Sequence, residues 1–292
     1  METEKLRVLL TALDCGSLSA AAEKLDYTPS GVSRAVQALE EELGLTLLRR
    51  TRWGVEATES CAQLLPRLRE LVNAAEGLEQ EARALKGLET GRLRIGSSYG
   101  SYSRALAALL TAYCRKHPGI RVETREGSSS ALCQAMTEGQ LDLCLISRRE
   151  GDFDWLPLQT DPLLAVLPED HPLAEAVGYP TERFREDPFI EILPGAETDN
   201  SRLFARLGIR PNVRYSSADD RTAMSLVEAG MGVTLVNRLL LQDWQGRVKG
   251  VPLSPPQQVE IGFAVPSLRH SSPAARGFLT FVRAELERTT NG

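Results

Sequence analysis

Thr28, Ser30, Ser33, Arg34 and Gln37 lie within ten residues of one another, and all five carry side chains that grip or read an ordered polar surface. A guanidinium such as Arg34 forks onto a guanine edge or clamps a phosphate, a carboxamide such as Gln37 pairs with adenine, and hydroxyls serve backbone or base edges. Arg49, Arg50 and Arg52 follow and suit phosphates beside a minor groove. Farther along, hydroxyls gather at the ends of strand-like runs: Ser97, Ser98 and Tyr99 after RLRIG, Ser128, Ser129 and Ser130 after VETREG, and Ser147 after LDLCLI. Ligands of open α/β sheets bind at such strand ends, beside helix N-termini that favour anions. Any one of these serines also reads as a plain helix cap.

The first set needs a rigid helix, and the local grammar supplies one. Leu6, Leu9, Leu10 and Leu13 recur at three and four residue steps and stop at Gly16, an amphipathic helix. Ser17 or Ser19 starts a second helix through Ala20, Ala21, Ala22 and Leu25, whose small residues admit another backbone. Thr28 followed by Pro29 reads as an N-cap with proline at the first helical position, so a third helix runs to about Leu43 with inner face Val32, Ala35, Val36 and Leu39. Only Asp26 and Tyr27 separate the pair. Gly44 ends the third helix, and LTLLRRTRWGVEAT has the alternation and turn chemistry of a two-stranded ribbon with Trp53-Gly54 near its tip. Three helices and a wing over residues 1–58 make a winged helix-turn-helix, the fold that lays its second paired helix in the major groove of DNA. A helical surface of no consequence is the bland alternative.

From about Glu59 to Leu88 the residues Cys61, Leu64, Leu68, Leu71, Ala75, Leu78, Ala82 and Leu85 are spaced three, four, three, four. A seam held over about four heptads predicts a coiled-coil helix spanning 59–89 that dimerises through Leu64, Leu68, Leu71, Leu78 and Leu85. A helix packed on its own domain is the alternative. Beyond Gly91, short apolar strands alternate with helices, so residues 90–292 are expected to form a parallel sheet flanked by helices. The pattern comes in two sets, predicting two α/β lobes: lobe I over about 90–162 and 266–292, lobe II over about 163–265, with crossings near 162 and 265.

The chain has 292 residues and a net charge of -5, which argues against indiscriminate binding to nucleic acid and for a local basic patch. Even the first sixty residues hold more acidic than basic side chains, with Glu40, Glu41 and Glu42 clustered. Five cysteines form no CxxC pair and no metal-ligand spacing with the three histidines, so no metal and no cofactor are expected, and only Cys133, near a ligand loop, is a candidate redox thiol. The first residues lack a signal h-region and no run is long enough to span a membrane, which places the protein in the cytoplasm. P-loop and HExxH are missing, leaving a two-lobed α/β enzyme as a remote alternative.

GSLSAAAEKL, SRAVQALEEELG, LLRRT and the long helix, then LRIG, GQLDLCLI, HPLA and EAGMGVTLV, resemble the LysR-type transcriptional regulators over essentially the whole chain. The resemblance implies a homodimer or homotetramer that binds partly palindromic double-stranded promoter DNA, and a two-lobed, periplasmic-binding-protein-like domain that senses a small-molecule effector. It places the effector cleft at the serines named above, with Leu193 to Thr198 and Val236 to Asn237 completing it from lobe II. Convergent hydroxyls and helix N-termini would suit a small organic acid. Pro29 stands where the family often has a base-contacting glutamine, so a ligand sensor that has lost tight operator binding is a further alternative. Leu48, Ala57 and Cys61 also replace residues usual in the family.

Overall fold

Helix α1 (Thr3–Cys15) ends on Gly16 in the left-handed region. Ser17 then caps α2 (Leu18–Leu25) by accepting the Ala20 N–H, and Asp26, also left-handed, closes it. Thr28 caps α3 (Pro29–Leu43) by accepting the Gly31 N–H at 3.1 Å, with Pro29 at a position where no helical N–H is missed. Leu6, Leu9, Ala12, Ala21, Ala22, Val32, Val36 and Leu39 fill the space between the three helices. The computed structural model describes residues 2–85, 90–98, 103–242 and 244–290.

Strands β1 (Leu48–Thr51) and β2 (Gly54–Ala57) form the wing, an antiparallel hairpin with Thr51 opposite Gly54. The wing is clipped to the turn between α1 and α2, where the Val55 N–H donates to the Gly16 carbonyl at 2.9 Å. Gly54 has φ +134° and a Cβ there would lie 2.0 Å from that carbonyl oxygen, so glycine alone allows the approach. Glu40 turns inward and accepts the Leu47 and Leu48 N–H groups, which removes one of the three clustered acids from the surface.

Helix α4 (Glu59–Leu85) departs from the single seam expected of it. Cys61, Leu68 and Val72 are buried in the helical core, with Leu64 and Leu65 packed against it. Leu64 and Leu68 are therefore turned into their own domain and are not open to a partner. Farther along the same side of the helix Leu71, Leu78 and Leu85, at seven-residue steps from Leu64, are exposed, at 47%, 69% and 90%. A three-four pattern does not say what covers the seam along its length: its first turns anchor the reading head and the rest stays open.

The rest of the chain makes two lobes. Lobe I holds β3 (Thr90–Ser97), α5 (Ser103–Lys116), β4 (Gly119–Glu126), α6 (Ser129–Thr137), β5 (Leu143–Ser147) and the first part of β6 (Asp154–Pro168). Lobe II holds the rest of β6, β7 (Tyr179–Pro180), β8 (Phe189–Ile192), α7 (Asp199–Leu207), β9 (Val213–Ser217), α8 (Asp220–Glu228), β10 (Thr234–Asn237), α9 (Arg238–Gln242) and β11 (Val248–Ser254). Strand β12 (Gln258–Val265) pairs with β5 and β6, and its Ile261, Phe263 and Val265 enter the lobe I core beside Phe278 and Val282 of α10 (Pro273–Thr290). The return crossing thus lies at residues 255–257, not near 265. The sheet is also mixed: β3 runs parallel to β4 and β5, and β11 to β7, but β12 pairs antiparallel with β5 and β6, and β10 and β11 pair antiparallel with β6. Strand β6 runs through both lobes, pairing with β12 up to Pro162 and with β10 from Leu163, which forces the connecting strands into the antiparallel sense.

Lobe I is bonded to α4 of the same chain. Asn73 Nδ2 donates to the Gly139 carbonyl at 2.9 Å, and Arg94, paired with Asp142 at 2.6 Å, donates to Asn73 Oδ1 at 2.9 Å. On the same helix Arg69 reaches Asp14 of α1 at 3.0 Å.

Candidate functional site

Ser30, Ser33, Arg34 and Gln37 occupy one side of α3, because their steps of three, one and three residues add to about two turns. Thr28, Ser30, Arg34 and Gln37 are exposed and Ser33 is half-buried. Thr28 Oγ1 already holds the Gly31 N–H and shares a hydrogen bond with Ser30 Oγ at 3.1 Å, so its first duty is to start the helix. Arg34 Nε rests on the Ser30 carbonyl at 3.3 Å and Gln37 Nε2 on Glu41 at 3.1 Å, both exposed bonds that an incoming acceptor can replace. In the wing, Arg49 is paired with Glu56 at 2.7 Å. Arg50 and Arg52 have no carboxylate partner among the described residues.

The second site is a cleft of about 100 Å³ between the lobes. Ser98, Ser128 and Ser129 line it from lobe I, and Thr198 and Asn237 from lobe II. Ser128 caps α6 and Thr198 caps α7 in a reciprocal pair with Ser201, so two helix N-termini open onto the cavity. Ser129 Oγ donates to Ser98 Oγ at 3.0 Å and lies 3.3 Å from Ser147 Oγ, a hydroxyl just behind the lining. Ser97 is buried at the end of β3 and does not reach the cavity, since neighbouring residues of a strand point to opposite faces. Tyr99 lies outside the described residues.

Two residues that sequence reasoning passed over dominate the cleft. Arg149, 7% exposed, and Asp199, 15% exposed, meet across the lobes with Nη1 2.9 Å from Oδ1. Ser147 Oγ donates to the same carboxylate oxygen at 2.6 Å. Close by, Ser130 Oγ donates to Glu197 at 2.9 Å and Arg202 donates to the Arg148 carbonyl at 3.1 Å, so four contacts tie the lobes together. The signal for Arg149 was its place three residues beyond the LDLCLI run, the same logic that picked the serines. Asp199 gave none, because its partners are fifty or more residues away in sequence.

The charges in the cleft nearly offset one another. Arg149 faces Asp199, Arg202 faces Glu197 at 3.5 Å, and burial, with Asp219 next to it, pushes the Asp220 carboxyl above the ordinary range. Two buried donors of cleft-lining residues, Arg149 Nε and Asn237 Nδ2, have no acceptor among the described residues. Cys133 is half-buried and burial raises its thiol pKa, as it does for Cys61 and Cys144, which is the opposite of what a reactive thiolate needs. Among the described residues no group of three His, Cys, Asp or Glu could hold a metal ion, and no helix is long and apolar enough to cross a membrane.

Two family models match the chain, one over each part. Residues 3–62 match the bacterial regulatory helix-turn-helix protein family of the lysR type, and residues 86–287 match the LysR substrate binding domain. A small neutral protease regulatory protein of Streptomyces coelicolor is 31% identical over 249 residues, covering 80% of this chain and 73% of its own. An uncharacterized HTH-type transcriptional regulator of Bacillus subtilis, YvbU, is 26% identical over 97% of this chain and 98% of its own. Among solved structures, a full-length OxyR variant from Pseudomonas aeruginosa superposes with a TM-score of 0.77 at 21% identity, covering 97% of this chain and 95% of the other. Full-length CbnR complexed with its target DNA superposes with a TM-score of 0.54 at 20% identity, covering 98% and 100%. These structures share the fold. With a helix-turn-helix at one end and a two-lobed domain at the other, the chain belongs to the LysR family of DNA-binding transcriptional regulators with an effector-binding domain, and it is not an enzyme.

Proposed function

We propose that this regulator acts in the cytoplasm as a homodimer or a pair of dimers on partly palindromic promoter DNA, and that the effector in its cleft is a small organic acid. Thr28, Ser30, Ser33, Arg34 and Gln37 make the major-groove contacts, and Arg49, Arg50 and Arg52 hold the backbone beside them. The exposed stripe of Leu71, Leu78 and Leu85 supplies the seam between subunits. The observation that carries the ligand class is the pair of buried donors without acceptors among the described residues, Arg149 Nε and Asn237 Nδ2, since a buried donor left unpaired costs about 1–3 kcal/mol and a carboxylate supplies the missing acceptor. Ser98, Ser129 and the N-terminus of α6 add donors to the same rim.

A thermal-shift screen of the full chain tests the ligand class. A ligand at 100 times its Kd stabilises by about 2.7 kcal/mol, which moves the midpoint of a domain of this size by several degrees. Small mono- and dicarboxylates should produce such shifts. Stabilisation by amines or neutral sugars alone would overturn the assignment. Genomic fragments selected on the protein at about 0.15 M salt, where non-specific phosphate contacts are weak, should share a partial palindrome.

A further inference from the structure

Trp53 is 80% exposed at the tip of the wing, where a large ring contributes nothing to either core. Its backbone is nevertheless held firmly. Thr51 Oγ1 accepts the Trp53 N–H at 3.2 Å, Thr51 lies opposite Gly54 in the hairpin, and the next residue is hooked to the Gly16 carbonyl. The guanidinium of Arg52 lies 4.7 Å from the ring centroid, so one face of the indole carries a cation. The indole N–H has no acceptor among the described residues. Arg50 and Arg52 surround the tip with positive charge.

A ring on a rigid, basic hairpin, presented by the same domain that presents α3, suits a nucleic-acid groove better than a protein surface. The minor groove is roughly 6 Å wide, closed to a helix but open to an indole edge-on between phosphate walls. In it A·T and T·A pairs show only acceptors, whereas G·C adds an amino donor. The indole N–H donates and cannot accept. It therefore complements A·T and meets the guanine amino group donor to donor.

We propose that Trp53 is a specificity-determining residue: with Arg52 stacked on it, its indole enters the minor groove beside the α3 contacts and its N–H selects A·T over G·C there. The wing arginines contribute affinity without sequence preference, and Trp53 adds the preference.

Selection from random duplexes at about 0.15 M salt compares the full-length wild type with W53F, which keeps a ring and loses the donor, and with W53A. The wild-type motif should carry A·T at positions flanking the α3 half-sites. W53F should bind within about three-fold of wild type and lose that flanking preference, and W53A should lose the preference and about ten-fold in affinity. Unchanged flanks and affinity in W53A would overturn the proposal, as would flanks retained in W53F. Tryptophan emission gives a second readout: the difference between wild type and W53F isolates Trp53 from Trp155 and Trp244, and an A·T-rich duplex should quench it. No change in that difference spectrum, or a lowered melting temperature in W53A that marks Trp53 as structural, also sinks the idea.

Discussion

Replacing Asp199 by asparagine probes how the two lobes stay together. The amide keeps the shape and can still accept from Ser147 Oγ, but the charge facing Arg149 is gone. In the native protein one carboxylate oxygen takes both the 2.6 Å bond from Ser147 and the 2.9 Å bond from Arg149. Hydrogen bonds to charged groups contribute about 1.5–3 kcal/mol and neutral ones about 0.5–1.5, so the substitution removes about 2–3 kcal/mol from the closed arrangement. Neither side chain is exposed enough for solvent screening to erase that difference. The closed state should lose about 30- to 150-fold in relative population, because each 1.4 kcal/mol is a factor of ten. Amide hydrogen exchange at the start of α6 reads the opening directly, and small-angle scattering reads the change in lobe separation. The freed Arg149 should bind a small carboxylate at least ten-fold more tightly than wild type, since the ligand no longer competes with a resident acid. Wild-type exchange rates together with a wild-type response to a carboxylate panel would refute this account of the cleft.

Removing both unpaired wing arginines in R50A/R52A should lower the slope of log K against log salt by about 1.8, which is about 12-fold in affinity over a four-fold change in salt, whereas R49A should change the slope less because Glu56 already neutralises Arg49. Leu78→Asp should dissociate the subunits with little change in monomer stability, seen by sedimentation. Leu68→Asp, at a site 4% exposed, should instead destabilise the reading head by more than about 3 kcal/mol, and equal effects would contradict the division of the α4 seam into a covered start and an open remainder. Asp220 has a raised pKa from burial, so its native state holds a proton that the unfolded chain releases first; it lowers stability as pH rises past the unfolded carboxylate range. Asp220→Asn should therefore raise the melting temperature at neutral pH, and the advantage should vanish in strongly acidic solution.

Where chemistry is local, the sequence was readable. Thr28-Pro29, Gly16 and Gly44 mark helix ends because caps and left-handed glycines act within a few residues, and α3 begins and ends where they say. The strand-end serines were legible for the same reason: Ser98 follows the strand TGRLRIGS, and Ser128 and Ser129 follow β4, marked by Ile120 and Val122 in alternation with polar residues. Ser97 was misjudged by one residue, and a single step along a strand reverses the face. Asp199 was invisible because its meaning depends on a partner in the other lobe. The placement of β12 failed similarly: antiparallel pairing to β5 and β6 joins segments about a hundred residues apart, and an apolar run does not name its neighbour. In α4, the register that predicted one partner-facing seam was satisfied at its start by the reading head, and only packing separates Leu68 from Leu71.

Helix α6 joins two places that matter. Its first turn forms the cleft at Ser128 and Ser129, and just past its last turn the Gly139 carbonyl is held by Asn73 and Arg94 on the α4 side. Nine residues at about 1.5 Å each make an arm of about 13 Å. A shift of about 1 Å at Ser129, pivoting on Gly139, is a rotation of about 4° over that arm. From Asn73 back to the start of α4 is another arm of about 21 Å, at whose end the same rotation becomes about 1.5 Å. Two reading heads displaced in opposite senses would change their separation by about 3 Å, close to the roughly 3.4 Å between successive bases. A lever of these proportions would convert a motion the size of a bond into one the size of a base-pair step.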